Sequence, residues 1–314
     1  MTVFDRLNRW KDQTKITSEQ HQVLAALVRR EPFSVYLPLN GLLYVGVLAF
    51  VGGLGWTIQT YFHQLGDAAI LLGLSGLLAA CLAYCFMRGL PYFAGEARSP
   101  NFLFDYVLYL GCLSWSVELG YIENRFHVMA ARWDIYLLMT ALFFFAMAYR
   151  FDNRFVLSMA LSTLAAWFGV KLSHFVVRDP SAYRLCAIAY GLVVMSIGAA
   201  LQCVGIKKHF LGTYLNFAAN VLFVAVLSGV FESGGSSLWT LFLLLAGAVS
   251  LVYGIRTRQF AFVAYAVVYG YLGVSSILLR DIHQVELTLG YLLVSGAGMI
   301  AFLTFVARRF GREA

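Results

Sequence analysis

The chain of 314 residues is 61% hydrophobic and only 12% charged, with a mean hydropathy of +0.74 and a formal net charge of +7. A soluble domain usually contains about 45–50% apolar and about 25% charged residues, so this composition excludes a soluble globular protein. The 23 lysine and arginine residues lie in small groups between apolar runs, which excludes a nucleic-acid-binding surface.

Residues 1–38 are predicted to form a cytoplasmic or interfacial region of short helices. Apolar residues recur there at helical spacing beside basic ones, a pattern typical of a helix lying on an anionic membrane surface; they are Val3, Phe4, Leu7 and Trp10. A second helix is predicted to begin with a capping box of Thr17 and Gln20. Two helices packed against the membrane domain are one interpretation, and a docking platform for a protein partner is the other.

Ten apolar segments follow, and each is long enough to form most of a membrane-spanning helix. They lie at 39–61, 67–87, 102–121, 133–149, 155–171, 184–205, 210–230, 237–254, 260–279 and 285–306. They predict an all-α polytopic integral membrane bundle of about ten transmembrane helices over residues 39–306. A basic cytoplasmic tail is predicted at residues 307–314.

The positions of the basic residues predict the orientation of the bundle. With a cytoplasmic N-terminus, seventeen of the 23 lysine and arginine residues fall on the cytoplasmic side and six on the outer side. Because lysine and arginine favour cytoplasmic loops, this split supports an even number of segments and places both termini in the cytoplasm.

Ionisable side chains from three segments are predicted to share one layer near the outer surface. Lys171 lies about 25 Å along the fifth segment, and Glu118 of the third segment and Glu286 of the tenth reach a similar depth. Other polar residues lie close to this layer in depth: His174, Glu123, Asp134, His283 and Gln59. A lone charge there costs a few kcal/mol, so pairing or water access is expected. Three alternatives remain for this layer: the Lys171 side chain snorkels to the interface, Glu118 and Lys171 form a structural ion pair, or the layer holds a solute or proton site.

The fifth segment has two contrasting faces on a helical wheel. One carries small residues suited to close helix packing, which are Ser158, Ser162, Ala165 and Gly169. The opposite face brings basic groups into the membrane near one surface, and it contains Trp167, Lys171, His174 and Arg178.

A second polar feature lies on the seventh segment, where Gly212, Asn216 and Asn220 repeat every four residues. Two carboxamides inside a membrane need hydrogen-bond partners. Tyr265 and Tyr269 repeat in the same way on the ninth segment and are the candidate partners. A contact between helices is favoured here over a contact with a substrate.

Catalytic signatures are missing from the sequence. It contains no glycine-rich phosphate loop, no His-Glu-x-x-His motif and no Gly-x-Ser-x-Gly motif. The six histidines lie outside or at the ends of the apolar segments, which argues against a haem in the membrane. The five cysteines lie inside apolar segments, which indicates core residues rather than disulfides or metal ligands. We therefore expect no enzymatic activity, no metal and no cofactor.

Three stretches carry a family resemblance: ITSEQHQVL at 16–24, DYVLYLGCLSWSVELGYIENRFHV at 105–128, and AYRFDNRFVLSMALSTLAAWFGVKL at 148–172. They resemble a bacterial family of predicted multi-pass membrane proteins that is catalogued as a domain of unknown function (DUF2157). The resemblance covers about residues 16–173 and fades in the second half. It implies a bacterial inner-membrane protein with a short helical region before the bundle, and it assigns no chemistry to any residue.

Two function classes remain. The first is a transporter or binding protein for a small solute or ion, which would use the outer polar layer. Ten helices in about 300 residues also resemble the drug/metabolite transporter superfamily, although the two halves show no convincing repeat. The second is a non-transporting membrane scaffold or sensor that binds a partner through its N-terminal helices. The intramembrane carboxylate of Glu118 favours the first class. Membrane lipids surround the protein in both, and the substrate stays unidentified.

Overall fold

A computed structural model describes residues 45–57, 66–93, 95–96, 102–129, 132–175, 180–233, 237–280 and 284–313, together with the isolated residues 10, 11, 13, 17, 20, 43 and 282. Side chains at 102, 173–175, 233, 237 and 309–313 are not described. Within these ranges the regular secondary structure is entirely helical, which confirms the predicted all-α fold.

Ten long α-helices follow one another in the described residues. They are α1 at Val45–Thr57, α2 at Asp67–Arg88, α3 at Phe102–Phe126, α4 at Trp133–Phe151, α5 at Arg154–Phe175, α6 at Pro180–Val204, α7 at Leu211–Ser233, α8 at Ser237–Thr257, α9 at Phe260–Leu279 and α10 at Val285–Glu313. A short 3₁₀ helix at Lys208–Phe210 precedes α7. Each of the ten predicted segments overlaps one helix, and α10 continues through the residues predicted as a tail.

Eight of these helices are long and apolar enough to cross a membrane. The other two are α1, whose described part is shorter, and α3, which has 25 residues but includes several charged ones. Those charges are Asp105, Glu118, Glu123 and Arg125. The helix count and the apolar lengths confirm a multi-pass membrane protein.

Side-chain contacts define the two ends of the bundle. At one end Lys171, near the end of α5, bonds Asp134 at the start of α4. We call this the Lys171 end; α2, α4, α6, α8 and α10 begin there. At the other end Lys207, after α6, bonds Asp152, after α4. We call this the Lys207 end. Consecutive helices therefore run in opposite directions, as their short connections require.

The helix α7 joins two parts of the core. Consecutive helices pack as the pairs α2 with α3, α4 with α5, α6 with α7, and α8 with α9, while α7 also packs against α5, α8 and α9. Tyr214 and Ala218 of α7 belong to a large buried cluster with residues of α2 to α6. Phe223 and Val230 belong to a smaller cluster with α8 and α9. Side chains attached to α7 therefore lie where the two halves of the bundle meet.

The packed face of α5 differs from the predicted one. Val156, Leu157 and Leu161 are buried, whereas Ser162 and Gly169 are exposed. Among the described atoms, none lies within 4 Å of the position that a Cβ would take at Gly169. The prediction of a small-residue packing face was wrong, because the larger apolar side chains bury more area against the core than the small face can.

The predicted capping box in the N-terminal region is confirmed. The amide of Thr17 donates to Oε1 of Gln20 at 3.0 Å, and the amide of Gln20 donates to Oγ1 of Thr17 at 3.2 Å. Trp10 and Lys11 in the predicted surface helix are helical and exposed. The rest of that helix and the other predictions for residues 1–38 lie outside the described residues.

Candidate solute-binding cleft

The predicted polar layer at the Lys171 end is divided between separate contacts. Nζ of Lys171 lies 2.7 Å from Oδ2 of Asp134, and Arg132 approaches the same oxygen at 3.1 Å. Glu118 of α3 instead accepts a hydrogen bond from Oγ of Ser75 on α2. The alternative of an ion pair between Glu118 and Lys171 is therefore wrong. The sequence predicts similar depths in the membrane for Glu118 and Lys171. In the structure, however, Glu118 faces α2 whereas Lys171 faces α4.

The two remaining members of that layer do not join these contacts in the described structure. Glu286 lies exposed in the first turn of α10, without a hydrogen bond or ion pair to the described residues. His174 belongs to α5, but its side chain lies outside the described part.

The asparagines of α7 contact the tyrosines of α9. Tyr265 donates to Oδ1 of Asn216 at 3.2 Å, and Tyr269 donates to Oδ1 of Asn220 at 3.0 Å. The amide nitrogens of both asparagines donate to carbonyl oxygens one turn back on α7, at 2.7 and 2.8 Å. All four side chains are thus used to hold α7 against α9, as expected of polar contacts between membrane helices.

A cleft between α6 and α7 lies near the Lys171 end and has a volume of about 660 Å³. Its apolar wall contains Pro180, Ala187, Val221, Val224 and Ala225. Its polar residues are Tyr183, Arg184, Asn220, Ser228 and Glu232. Such a mixture of apolar surface and a few convergent polar groups is typical of small-molecule sites.

Arg184 is held in this cleft from three directions. Its Nε donates to Oγ of Ser228 at 3.2 Å, and its Nη2 contacts Oε2 of Glu232. Its guanidinium also lies 4.7 Å from the ring centre of Trp239 on α8, a distance suited to a cation–π interaction. Nη1 makes no hydrogen bond to the described residues. The guanidinium is therefore fixed in orientation and retains donors for a ligand.

Burial differs sharply between the two charges of this pair. The side chain of Arg184 is 6% exposed, whereas that of Glu232 is 51% exposed. Arg184 lies in the second turn of α6, which begins at Pro180, and Glu232 lies in the last turn of α7. The antiparallel α6 and α7 bring them together. An anionic group that enters the cleft would meet a buried guanidinium beside a partly solvated carboxylate.

A second groove, of about 670 Å³, runs between α6, α7 and α8. Its lining is almost wholly apolar, including Leu185, Leu222 and Phe242. Trp239 lines this groove and also contacts Arg184. A groove of this composition suits the acyl chains of the surrounding lipid rather than a polar solute.

A buried charged cluster lies at the Lys207 end. Nζ of Lys207 lies 3.1 Å from Oδ2 of Asp152 and donates to the carbonyl of Gly95 at 3.2 Å. Nε2 of His209 lies 2.5 Å from the other oxygen of Asp152. The side chains of Lys207 and Asp152 are only 1% and 2% exposed. The cluster ties together the connections after α2, α4 and α6.

Neither Arg184 with Glu232 nor the cluster at Lys207 was selected from the sequence. Arg184 was counted only as one of the six basic residues on the outer side. Its position at the first residue of the predicted segment 184–205 gave little sign of burial. Because α6 begins at Pro180, Arg184 lies in the second turn of the helix, where a buried arginine needs a partner. Across the described residues, no group of three or more histidine, cysteine, aspartate or glutamate side chains could hold a metal ion.

Comparison with protein families finds a match over the first half of the chain. Residues 8–157 match the family model described as "Predicted membrane protein (DUF2157)". The match confirms the resemblance seen in the sequence. It includes Glu118 but ends before α6, so the cleft lies outside the matched residues. Comparisons with curated proteins and with solved structures give no match.

Proposed function

We propose that the protein is a transporter of the bacterial inner membrane that binds a small solute with an anionic group in the cleft between α6 and α7. The observation that carries this proposal is the environment of Arg184. Burying a charged side chain in a membrane bundle is expensive, and such residues commonly mark solute pathways. Here the guanidinium is almost wholly buried, yet it lines a cleft of about 660 Å³.

The chemistry of arginine supports an anionic ligand. A guanidinium binds carboxylate and phosphate groups through parallel hydrogen bonds, and its planar shape makes the geometry specific. Glu232 adds a negative charge beside Arg184, which disfavours ligands with several negative charges. The proposed solute therefore carries one anionic group, and an ammonium group on the same solute would pair with Glu232.

The distribution of basic residues supports the orientation that we propose. The Lys171 end faces outward and the Lys207 end faces the cytoplasm, because seventeen of the 23 basic residues then lie on the cytoplasmic side. The cleft would accordingly receive its solute from the outer side.

Thermal unfolding of the full chain in lipid nanodiscs tests the binding step. The probes are lactate as a monoanion and alanine as a zwitterion. Inorganic phosphate, which carries up to two negative charges at neutral pH, is the ligand that Glu232 should disfavour. A ligand at one hundred times its Kd stabilises the folded state by about 2.7 kcal/mol, so at least one probe should raise the unfolding temperature by several degrees.

The variant Arg184→Gln should abolish that shift. Arg256→Gln is the matched control, because Arg256 is exposed near the Lys207 end. A shift of equal size in Arg184→Gln, or no shift of the unmodified chain with any probe, would contradict the proposal. A protein that copurifies with the full chain, but not with a chain lacking residues 1–31, would favour the scaffold or sensor class instead.

A further inference from the structure

Charge pairing in the helices α2 to α5 leaves Glu118 without a cation at the Lys171 end. Four carboxylates lie in this region: Asp67, Glu118, Glu123 and Asp134. Three described lysine and arginine residues lie beside them: Arg125, Arg132 and Lys171. Nε of Arg125 contacts both oxygens of Asp67 at 3.1 Å, and the other two bases both contact Asp134. Among the described residues, none supplies a positive charge to Glu118.

The two remaining carboxylates differ in position. Glu123 lies near the end of α3, where Oε2 accepts the amide of Met129 at 2.7 Å and Oε1 is buried without a hydrogen-bond partner among the described residues. Glu118 lies more than one turn deeper in the helix and has Ser75 as its hydrogen-bond donor. Its second oxygen, Oε2, is buried and has no hydrogen-bond partner in the described structure. An ionised carboxylate in this environment is unfavourable unless a bound cation neutralises it.

A second buried polar atom lies on the same helix face as this carboxylate. Ser114 precedes Glu118 by four residues, so both side chains lie on the same face of α3. That face is turned toward α2, since a Cβ added to Gly111 would lie 3.1 Å from Cβ of Cys81. Ser114 is 1% exposed, and its Oγ has no hydrogen-bond partner among the described residues.

We propose that Glu118, Ser75 and Ser114 bind a monovalent alkali metal ion. Two carboxylate oxygens and two hydroxyl groups provide the oxygen ligands that hard cations prefer. One positive charge balances the single carboxylate, whereas a divalent ion would leave excess charge in an apolar region. The other titratable and charged groups of α2 and α3 near this face are Cys81, Asp67, Tyr121 and Arg125. Tyr121 and Arg125 already contact Asp67.

This site is distinct from the solute cleft, because it lies between α2 and α3 rather than between α6 and α7. Its existence does not depend on the transport proposal. Binding of radioactive sodium to the full chain in lipid nanodiscs tests this site.

The test uses Glu118→Gln, Ser114→Ala and the control Glu286→Gln. Glutamine keeps an acceptor for Ser75, so Glu118→Gln should fold. Sodium binding should be lost in Glu118→Gln and weakened about tenfold in Ser114→Ala, comparable to the loss of one polar contact to a charged group. Glu286→Gln should retain sodium binding. Unchanged sodium binding in Glu118→Gln, or no sodium binding by the unmodified chain, would show that the proposed cation site is wrong.

Discussion

Replacing Lys207 by methionine should destabilise the chain by about 3–5 kcal/mol, the usual effect of breaking a buried ion pair from one side. The side chains of Lys207 and Asp152 are 1% and 2% exposed, so water cannot replace the lost contact. Methionine has a similar length and fills the same space. The carboxylate of Asp152 would keep its contact with His209 but lose its ion pair with Lys207. The carbonyl oxygen of Gly95 would lose its hydrogen-bond donor.

Reversible unfolding in mixed micelles of increasing dodecyl sulfate content measures this free energy. The matched control is Lys208→Met, because Lys208 is the next residue and is exposed; its substitution should change stability by less than about 0.5 kcal/mol. The double variant Asp152→Asn with Lys207→Met should lose less than the sum of the two single variants. Equal stabilities of Lys207→Met and Lys208→Met would refute the assignment of a stabilising buried pair.

Two further substitutions test the packing around α7 in the same assay. In Gly198→Ala the new Cβ would lie 2.6 Å from Cβ of Tyr214, so overpacking should destabilise the chain by about 1–3 kcal/mol. The control Gly247→Ala should not destabilise the chain, because no described atom lies within 4 Å of the new Cβ. Equal effects of the two alanines would contradict the contact between α6 and α7. Tyr269→Phe removes the hydrogen bond to Asn220 but keeps the ring that stacks on Phe223, so a loss of about 0.6 kcal/mol is expected. A loss above about 2 kcal/mol would indicate a further role for this hydroxyl.

The helices were predictable because the length of an apolar run is a local property of the sequence. The contacts of Asn216 with Tyr265 and of Asn220 with Tyr269 also left a local signal, since both helices repeat a polar residue every four positions. Two such repeats can align only when the helices run side by side, as α7 and α9 do. Periodicity alone therefore identified these candidate partners.

The charged contacts were harder to predict, because depth in the membrane does not reveal which helices are neighbours. Glu118 and Lys171 were placed at similar depths, yet they face different helices. Arg184 and Glu232 are separated by 48 residues and meet only through the pairing of α6 with α7. Asp152 and Lys207 lie in turns that a sequence reading assigns to solvent. Both adopt left-handed backbone conformations, with φ of 58° and 46°, that help direct their side chains inward.

Uptake into proteoliposomes tests the central claim most directly. Whichever of lactate and alanine stabilises the protein is supplied in radiolabelled form outside the vesicles. The transport proposal predicts uptake above that of empty vesicles for the unmodified chain and for Arg256→Gln, and loss of this uptake for Arg184→Gln. Unchanged uptake by Arg184→Gln would contradict the role of the cleft, and binding without uptake by the unmodified chain would contradict transport.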